Sequence, residues 1–317
     1  LLTPVARSPR RDLAGSRGLL PSPVDPCSMD ERAALERIAG TVSAAGDDCA
    51  ILDDLVVTTD MLHERTDFPA GTTRYTAGWR AVGASLSDVA AMGAPALGAL
   101  AIYAAPTFDA EPLAAFVDGA IDVCDRVDTE YVGGDLDSHP EFTVSTTALG
   151  RTDSPVRRSG ASVGDAVCVT GTLGRSGAAL RHFADGEADR GNELFQFVPR
   201  IAAGQALASA ATAMMDSSDG LARSLHQLAD ASDCGVRIEW DRLPVDPSVD
   251  AVADGASDRR ELTAYFGEDF ELVFTAPASA VEEVRETVDV SLTRIGTATE
   301  DGVVADGESL PDRGYTH

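Results

Sequence analysis

Aspartates that stand beside glycine, serine or threonine recur at six places along the chain. Each place joins an apolar strand or helix to a turn, where the backbone bends close to a ligand and strand ends deliver side chains into a crevice. The residues are Asp48 in GDDCAI, Asp60 in VVTTDML, Asp88 in LSDVAAMGA, Asp135 in YVGGDLD, Asp216 with Asp219 in AMMDSSDGL, and Asp269 in YFGEDFELVF. A buried, unpaired carboxylate at a strand end is costly unless a cation neutralises it.

Magnesium is the cation that such a set of side chains suits. Carboxylates and hydroxyls are hard oxygen ligands, and Mg²⁺ usually combines them with waters and with phosphate oxygens of a substrate. Several aspartates that hold two or more ions can orient a triphosphate and neutralise the charge that develops during in-line transfer. The pattern therefore indicates phosphoryl transfer.

The same motifs also have ordinary interpretations. The chain carries 52 acidic residues, so solvated surface is the commonest role of any single one. Asp216 and Asp219 precede a predicted helix and could cap its N terminus, a role that is compatible with metal binding. Arg158 in RRSGA could bind a phosphate with two parallel hydrogen bonds, or it could be a solvated surface residue. The turn in GTLGRSG resembles a phosphate-cradling loop, but a tight strand-to-helix connection explains it equally well.

The charge balance excludes several function classes. The 52 acidic residues stand against 25 Lys and Arg, the net charge is −27, and the chain contains no lysine. Without lysine there is no Walker A loop, no protein-kinase catalytic lysine and no Schiff base. An acidic surface repels nucleic acid and anionic lipid, so neither is an expected partner. It is typical of a protein that stays folded in very high salt, and we expect a halophilic source.

Cysteine spacing and hydropathy bear on the cellular compartment. The five cysteines are scattered and form no CxxC pair, which predicts reduced thiols in a cytoplasm rather than a disulfide framework or a zinc site. No apolar run approaches the roughly 20 residues that a membrane helix needs. Residues 1–28 lack helical periodicity and the continuous apolar core of a secretory signal. We expect them to be disordered or an upstream extension of the reading frame, with Met29 as the natural start.

Alternating helix and strand patterns predict a mixed α/β fold in two parts. Helices are expected at 30–39, 76–92, 110–126, 200–211 and 221–232, and strands at 55–62, 96–103, 131–133, 142–150, 166–170, 213–215, 236–240 and 271–275. Pro155, Gly160 and Gly164 punctuate a polar stretch between the two parts. We therefore predict domains at 29–150 and 151–317.

Taken in order, the motifs resemble those of the thiamine-monophosphate kinases, which belong to the aminoimidazole ribonucleotide synthetase-like superfamily. The matching strings are GDDCAI, TTDML, GWRAVGASLSDVAAMGAP, GGD, RSGASVGDAVCVTGTLG, DSSDGL, DCG, GEDFELVFT and RGYTH. No single string is decisive, but their shared order and spacing is specific. The resemblance implies direct transfer of the ATP γ-phosphate to thiamine monophosphate without a phosphoenzyme. It also implies an α/β (α+β) architecture, with an N-terminal mixed-sheet domain that binds ATP and magnesium and pairs in a homodimer, and a C-terminal α/β domain that covers the site.

The resemblance also implies roles for individual residues. The implied magnesium ligands are Asp48, Thr58, Thr59, Asp60, Asp88, Asp135, Asp216 and Asp219. The expected catalytic set within them is Asp60, Asp88, Asp135 and Asp216. Implied nucleotide contacts are Gly134, Asp135, Arg158 and Ser218. Implied substrate contacts are Asp67, Glu268 and Tyr315, where an aromatic ring suits a cationic thiazolium. Many members have histidine where this chain has Asp67.

Other members of the superfamily fit the sequence less well. Selenophosphate synthetases use a reactive cysteine or selenocysteine with a neighbouring lysine, and this chain has no lysine. The hydrogenase-maturation member ends in a functional cysteine, whereas this chain ends in Gly-Tyr-Thr-His. Aminoimidazole ribonucleotide synthetase shares the expected fold but not the LSDVAAMGA and DSSDGL pair. A protein that binds nucleotide or magnesium without catalysis is the remaining alternative, although every implied metal position retains an oxygen ligand.

Overall fold

The computed structural model describes residues 37–38, 40–42 and 45–315 of the 317-residue chain. The predicted extension 1–28 lies outside the described residues, as does nearly all of the predicted helix 30–39. From residue 45 onwards the chain forms two sheets and the helices that pack on them. The predicted α/β (α+β) class is confirmed.

The first sheet has five strands in the order β1-β2-β5-β3-β4. The strands are β1 (Ala50–Leu52), β2 (Leu55–His63), β3 (Ala96–Ala105), β4 (Tyr131–Ser138) and β5 (Thr143–Arg151). The β3–β4 pair is parallel and the other pairs are antiparallel. Alternation along β2 points Thr58 and Asp60 to one face of the sheet and Thr59 to the other. This alternation decides which polar side chains can meet.

Three helices belong to the same half of the chain. They are α1 (Glu64–Asp67), α2 (Arg74–Ala91) and α3 (Ala110–Asp125). Two glycines let α2 and α3 approach closely, since a Cβ on Gly78 would lie 2.0 Å from the carbonyl oxygen of Phe116 and one on Gly119 would lie 2.0 Å from that of Tyr75. Helix α2 is almost entirely buried and packs on β2, β3 and β5. Its polar residues are therefore directed into the interior of the protein.

The second sheet has seven strands in the order β12-β11-β8-β10-β6-β9-β7. They are β6 (Ala166–Thr170), β7 (Ala213–Asp216), β8 (Gly235–Ile238), β9 (Leu272–Ala276), β10 (Leu292–Thr299), β11 (Val303–Ala305) and β12 (Glu308–Ser309). The helices of this half are α4 (Arg175–Ala184), α5 (Ala188–Phe195), α6 (Ile201–Leu207), α7 (Leu221–Ser232), α8 (Pro247–Val252), α9 (Gly255–Arg260) and α10 (Ala278–Val284). A 3-10 turn (Trp240–Arg242) and a π-helical turn (Glu261–Tyr265) complete it. Helix α2 also contacts β7 and α6, so one helix touches both sheets.

The predicted elements agree with this fold except at some ends. Strand β6 and helix α7 have the predicted bounds, and the other predicted strands and helices lie close to theirs. Strand β4 was predicted to turn after residue 133 but continues to Ser138, because Gly133 and Gly134 adopt φ values of 125° and 159° without breaking its pairing with β3. A Cβ on Gly134 would lie 1.7 Å from the carbonyl oxygen of Ala101, so only glycine fits there. No helix in the described part of the chain is long and apolar enough to cross a membrane.

Candidate active site

Three aspartates from distant parts of the sequence meet at one point. Asp48 precedes β1, Asp88 lies in the last turn of α2, and Asp216 ends β7. One carboxylate oxygen from each lies within 4.8 Å of the others. In the described part of the chain, Oδ2 of Asp216 is buried and has no hydrogen bond of ordinary geometry, and the same holds for the hydroxyl of Ser87, which is close enough to lower the pKa of Asp216. The predicted convergence of these three side chains is present, and it leaves an unsatisfied oxygen ligand.

The electrostatics of the triad disfavour three separate negative charges. Burial raises the pKa of Asp88 well above its usual range, and the carboxylates of Asp60, Asp216 and Asp48 raise it further. Burial and the Asp48 carboxylate raise the pKa of Asp216 to about 7. A bound cation would reverse this penalty, because an opposite charge favours the ionised form of a carboxylate. A cation would therefore stabilise the ionised form of Asp48, Asp88 and Asp216, and we call these three side chains the acidic centre.

Two residues on β2 extend the centre. The hydroxyl of Thr58 donates to Oδ2 of Asp88 at 2.6 Å, and Asp60 accepts from the hydroxyl of Ser85 at 2.6 Å. Ser85 lies on α2, three residues before Asp88, so both partners belong to one helix face. Ser85 was not predicted as a site residue. Its spacing of three residues from Asp88 on a predicted helix places it on the same helix face, and this pattern was visible in the sequence.

Two predicted ligands do not join the centre. The Thr59 side chain is exposed on the opposite face of β2, where its hydroxyl donates to the Thr146 carbonyl at 2.8 Å. Asp135 is exposed on β4 and accepts from the N–H of Leu136 at 2.9 Å. Neither side chain belongs to the described group of three close acidic oxygens. Gly134 precedes Asp135 on the same exposed strand.

Arg158 contacts the centre directly. Its Nε and Nη2 atoms donate to the two carboxylate oxygens of Asp48 at 3.2 and 3.1 Å. Burial alone would lower its pKa, but the Asp48 carboxylate outweighs burial and raises it. The N–H of Arg158 also donates to Asp47 at 2.9 Å, which fixes the backbone beside the site. Arg158 is therefore a half-buried cation at the acidic centre and not a freely solvated surface residue.

The DSSDGL segment does not use its aspartates as helix caps. The N-cap residue of α7 is Gly220, and no side chain caps that helix. The N–H of Ser218 donates to Oδ1 of Asp216 at 3.2 Å, which leaves Oδ2 for a ligand. Asp219 is half-buried, and its carbonyl accepts from the N–H of Tyr315 at 2.9 Å. The capping interpretation is thus wrong for this segment.

The GTLGRSG turn is occupied by a side chain of the protein. The carboxylate of Asp269 accepts from the N–H groups of Gly174 and Ser176 at 2.5 and 3.0 Å. Burial raises the pKa of Asp269 to about 7, although these two donors act in the opposite direction. The N-terminal N–H groups of α4 are thereby satisfied within the chain. The interpretation as a phosphate-cradling loop is not supported, and the strand-to-helix connection explains the motif.

The three residues predicted to contact substrate lie near one another. The hydroxyl of Tyr315 donates to the Thr66 carbonyl at 3.1 Å, beside Asp67. Burial raises the pKa of Tyr315, and the carboxylates of Glu268 and Asp67 raise it further, which places both near the ring. Asp67 is buried and accepts from the His63 N–H at 2.6 Å. Glu268 is buried and paired with Arg80, a residue that was not predicted.

A cavity of about 610 Å³ lies next to these three residues, with Thr66, Phe68 and Phe266 in its wall rather than the three residues themselves. Its lining is largely apolar, but Arg65, Arg181 and Glu261 also line it. The rings of Phe266 and Tyr315 meet edge-on with centroids 5.8 Å apart. The aromatic side chains suit a flat ring, and the positive charge of such a ring would have to face Glu268 or Asp67 and not the two arginines of the cavity wall.

Comparisons with known proteins agree with this arrangement. The family model described as AIR synthase related protein, N-terminal domain, matches residues 46–152, and the corresponding C-terminal domain matches residues 162–306. A thiamine-monophosphate kinase of Halobacterium salinarum is 60% identical over 291 residues, which cover 91% of this chain and 100% of that protein. The chain belongs to the thiamine-monophosphate kinase family.

Two further members of the family span nearly the whole chain. The thiamine-monophosphate kinase of Methanospirillum hungatei JF-1 is 41% identical, with 91% of this chain and 99% of that protein covered. The solved structure of AaThiL complexed with AMPPCP and TMP superposes with a TM-score of 0.83 at 29% identity and covers 91% of this chain and 97% of that one. The kinase-family fold is therefore shared over both sheets.

Proposed function

We propose that this protein is a thiamine-monophosphate kinase that transfers the γ-phosphate of ATP to thiamine monophosphate and releases thiamine diphosphate. The observation that carries the proposal is the meeting of Asp48, Asp88 and Asp216, with Oδ2 of Asp216 buried and unbonded. Family membership supports the reaction, and the AaThiL structure is described as a complex with AMPPCP and TMP.

The residues at the centre fit magnesium. The aspartate and threonine side chains there offer oxygen, which is the ligand atom that Mg²⁺ prefers. We assign the binding of magnesium to Asp48, Thr58, Asp60, Asp88 and Asp216. Asp135 and Asp219 stay predictions from the resemblance, and we leave out the hydroxyl of Thr59 because it lies on the other face of β2. When bound, magnesium would neutralise and orient the phosphate chain for in-line displacement.

Arg158 and the DSSDGL segment supply donors for the phosphate chain. The guanidinium of Arg158 has five N–H groups, of which Asp48 accepts two. Ser218 sits at the turn between Asp216 and helix α7, where its side chain can face a phosphate beside the metal ligands. The resemblance implies that the phosphoryl group passes directly between the two substrates, and we propose that these residues position the two reactants and exclude water. They form no covalent intermediate.

The acceptor is held about two turns closer to the N terminus of helix α2 than the acidic centre. Arg80, which pairs with Glu268, lies eight residues before Asp88, a separation of about 12 Å along the helix. One rigid helix therefore carries the partner of the substrate-side carboxylate and a residue of the acidic centre. A substrate with a cationic ring at one end and a phosphate at the other matches this spacing. We place its ring between Tyr315, Glu268 and the aromatic cavity.

We also propose that the protein is a homodimer, through the exposed face of the first sheet. Large apolar side chains are exposed on its strands: Met61, Leu97, Ile102 and Val132. Helices α2 and α3 cover the other face, so these residues have no cover from the described part of the chain. An apolar sheet face of this kind is typical of an interface between subunits. The cytoplasm stays the predicted location.

The reaction is tested directly with purified protein in high salt. We expect thiamine diphosphate to form from ATP, Mg²⁺ and thiamine monophosphate, detected by fluorescence after oxidation. Omission of each component and replacement of thiamine monophosphate by free thiamine are the controls. Binding of ATP without any product would contradict the proposal and support a nucleotide-binding protein without catalysis.

A further inference from the structure

Arg80 is a cation in the interior of the protein. It lies in the middle of α2 and is only 1% exposed. Its Nη2 donates to Oε2 of Glu268 at 2.7 Å, and its Nη1 donates to the carbonyl of Phe195 at 2.8 Å. Its guanidinium also stacks over the ring of Phe195 at 3.6 Å. A buried arginine needs such a full set of partners because desolvation of its charge is costly.

The segment that Arg80 holds has an unusual backbone. Glu268 and Phe270 have φ values of 61° and 55°, and Gly267 before them has 82°. Left-handed φ is disfavoured for bulky residues, so it persists only where the surroundings enforce it. Among these surroundings is Arg80, whose Nη2 also donates to the Glu268 carbonyl at 3.0 Å.

Other contacts enforce the same turn from the second half of the chain. The hydroxyl of Ser176 donates to the Glu268 carbonyl at 2.6 Å, and the Glu268 N–H donates to the Ser218 carbonyl at 2.7 Å. The ring of Phe270 stacks on Phe197 at a centroid distance of 4.2 Å. The turn thus links the side chain of Arg80 to the DSSDGL segment, whose first residue, Asp216, belongs to the acidic centre.

From these contacts we infer that Arg80 is a positioning residue for the acceptor substrate, an inference that rests on the proposed function. Arg80 fixes one oxygen of the Glu268 carboxylate, while in the described part of the chain no donor binds the other oxygen. It therefore holds Glu268 in the rotamer that faces Tyr315 and the cationic ring of the substrate. Because Arg80 and Asp88 share one helix, it also fixes the distance between the ring site and the acidic centre.

Stability alone does not account for Arg80. A buried ion pair is often no more stabilising than apolar residues of the same volume. Arg200 and Glu271 provide a matched comparison, since Glu271 belongs to the same GEDFE segment and accepts from Nε of Arg200 at 2.7 Å. That pair is also buried on its acidic side but does not contact Glu268. A comparison of substitutions at Arg80 and at Arg200 therefore distinguishes a role in substrate binding from a role in stability.

The test compares Arg80→Met, Arg80→Lys and Arg200→Met in high salt. We measure thiamine monophosphate affinity by calorimetry without ATP, the two KM values, and unfolding by denaturant. We expect Arg80→Met to weaken thiamine monophosphate binding and raise its KM roughly tenfold or more, with KM for ATP nearly unchanged. Arg80→Lys keeps the charge and should recover most of the affinity. Arg200→Met should lower stability but leave the affinity within about twofold.

Several outcomes would overturn the inference. They are an Arg80→Met protein that binds thiamine monophosphate as the wild type does, and an equal loss of affinity in Arg200→Met. If Arg80→Met does not fold, Ser176→Ala removes one donor to the Glu268 carbonyl and should weaken binding by a smaller factor. Unchanged binding of thiamine monophosphate in Ser176→Ala would then count against the inference. A wild-type protein that neither binds nor phosphorylates thiamine monophosphate would instead refute the proposed function.

Discussion

The hydroxyl of Thr58 on β2 donates a 2.6 Å hydrogen bond to Oδ2 of Asp88 on helix α2. This bond joins the first sheet to the helix that contacts both sheets, at the point where Asp48 and Asp216 approach. It lowers the pKa of Asp88 against the larger effects of burial and neighbouring carboxylates. Thr58 thus orients the carboxylate of Asp88 and favours its ionised form, whereas burial and the neighbouring carboxylates favour the protonated form.

Substitutions of Thr58 and Thr59 form a matched pair, because the two residues are neighbours on β2 and their side chains point to opposite faces of the sheet. We expect Thr58→Val to lower turnover or raise the magnesium requirement by roughly tenfold, since Asp88 loses a buried donor. Thr59→Val should stay within about twofold, because its hydroxyl bonds only on the outer face. Magnesium titrations of the initial rate measure both. An equal loss of turnover in the two variants would contradict the assignment of Thr58, and not Thr59, to the magnesium site.

The raised pKa of Asp216 predicts a pH dependence of stability without metal. Its folded-state pKa of about 7 exceeds the usual value for Asp, so the folded state binds the proton more tightly. Stability from this group is complete below about pH 4 and is lost as pH rises through 7. We expect the metal-free protein to lose about 2–4 kcal/mol over this window and magnesium to restore it. Denaturant unfolding at several pH values, with chelator or magnesium, measures this.

Asp269 provides the internal control for that experiment. Its pKa is also raised to about 7, but its partners are the N–H groups of Gly174 and Ser176. Its share of the pH dependence should therefore not respond to magnesium. Asp216→Asn should reduce the magnesium-sensitive share and leave the share of Asp269 unchanged. A stability profile that magnesium leaves unchanged in the wild type would contradict the metal assignment.

The exposed face of the first sheet predicts a specific way to break the dimer. Ile102→Glu puts a charge at an apolar position on the central part of that face and should shift the protein to a monomer. Val163→Glu is the control, since Val163 is also apolar and exposed but lies outside the first sheet. Light scattering after size exclusion in high salt gives the mass. A dimer that survives Ile102→Glu and its equivalent at Met61 would contradict this interface.

The net charge of −27 predicts salt-dependent stability. Self-repulsion between carboxylates weakens as ions screen it, so the free energy of unfolding should rise from about 0.2 M to about 3 M KCl. Melting curves across this range, at saturating magnesium to remove the contribution of the acidic centre, measure the effect. Undiminished stability at low salt would contradict the expectation of a halophilic source.

Local patterns sufficed for most of the fold and part of the site. The apolar run of β6 and the helical periodicity of α7 predicted their bounds, and Asp48, Asp60, Asp88 and Asp216 were found from their neighbours. Alternation along β2 also contained the information that Thr59 faces away, although the family resemblance assigned it as a ligand.

The remaining features depend on contacts between segments far apart in the sequence. Asp269 caps helix α4 from 93 or more residues away, so no local pattern could have shown that the GTLGRSG turn is already occupied. Arg80 is conspicuous as a charge in an apolar helix, but its partner Glu268 lies 188 residues later. The continuation of β4 past its two glycines depends on pairing with β3, which sequence does not reveal.

A single-turnover measurement tests the central claim most directly. Labelled γ-phosphate from ATP should appear in thiamine diphosphate with the wild-type protein and magnesium. Asp216→Asn and Asp60→Asn should each lower the rate by about 10² or more, with folding intact by circular dichroism. Near-normal transfer by both variants would contradict the claim that the acidic centre holds the catalytic magnesium.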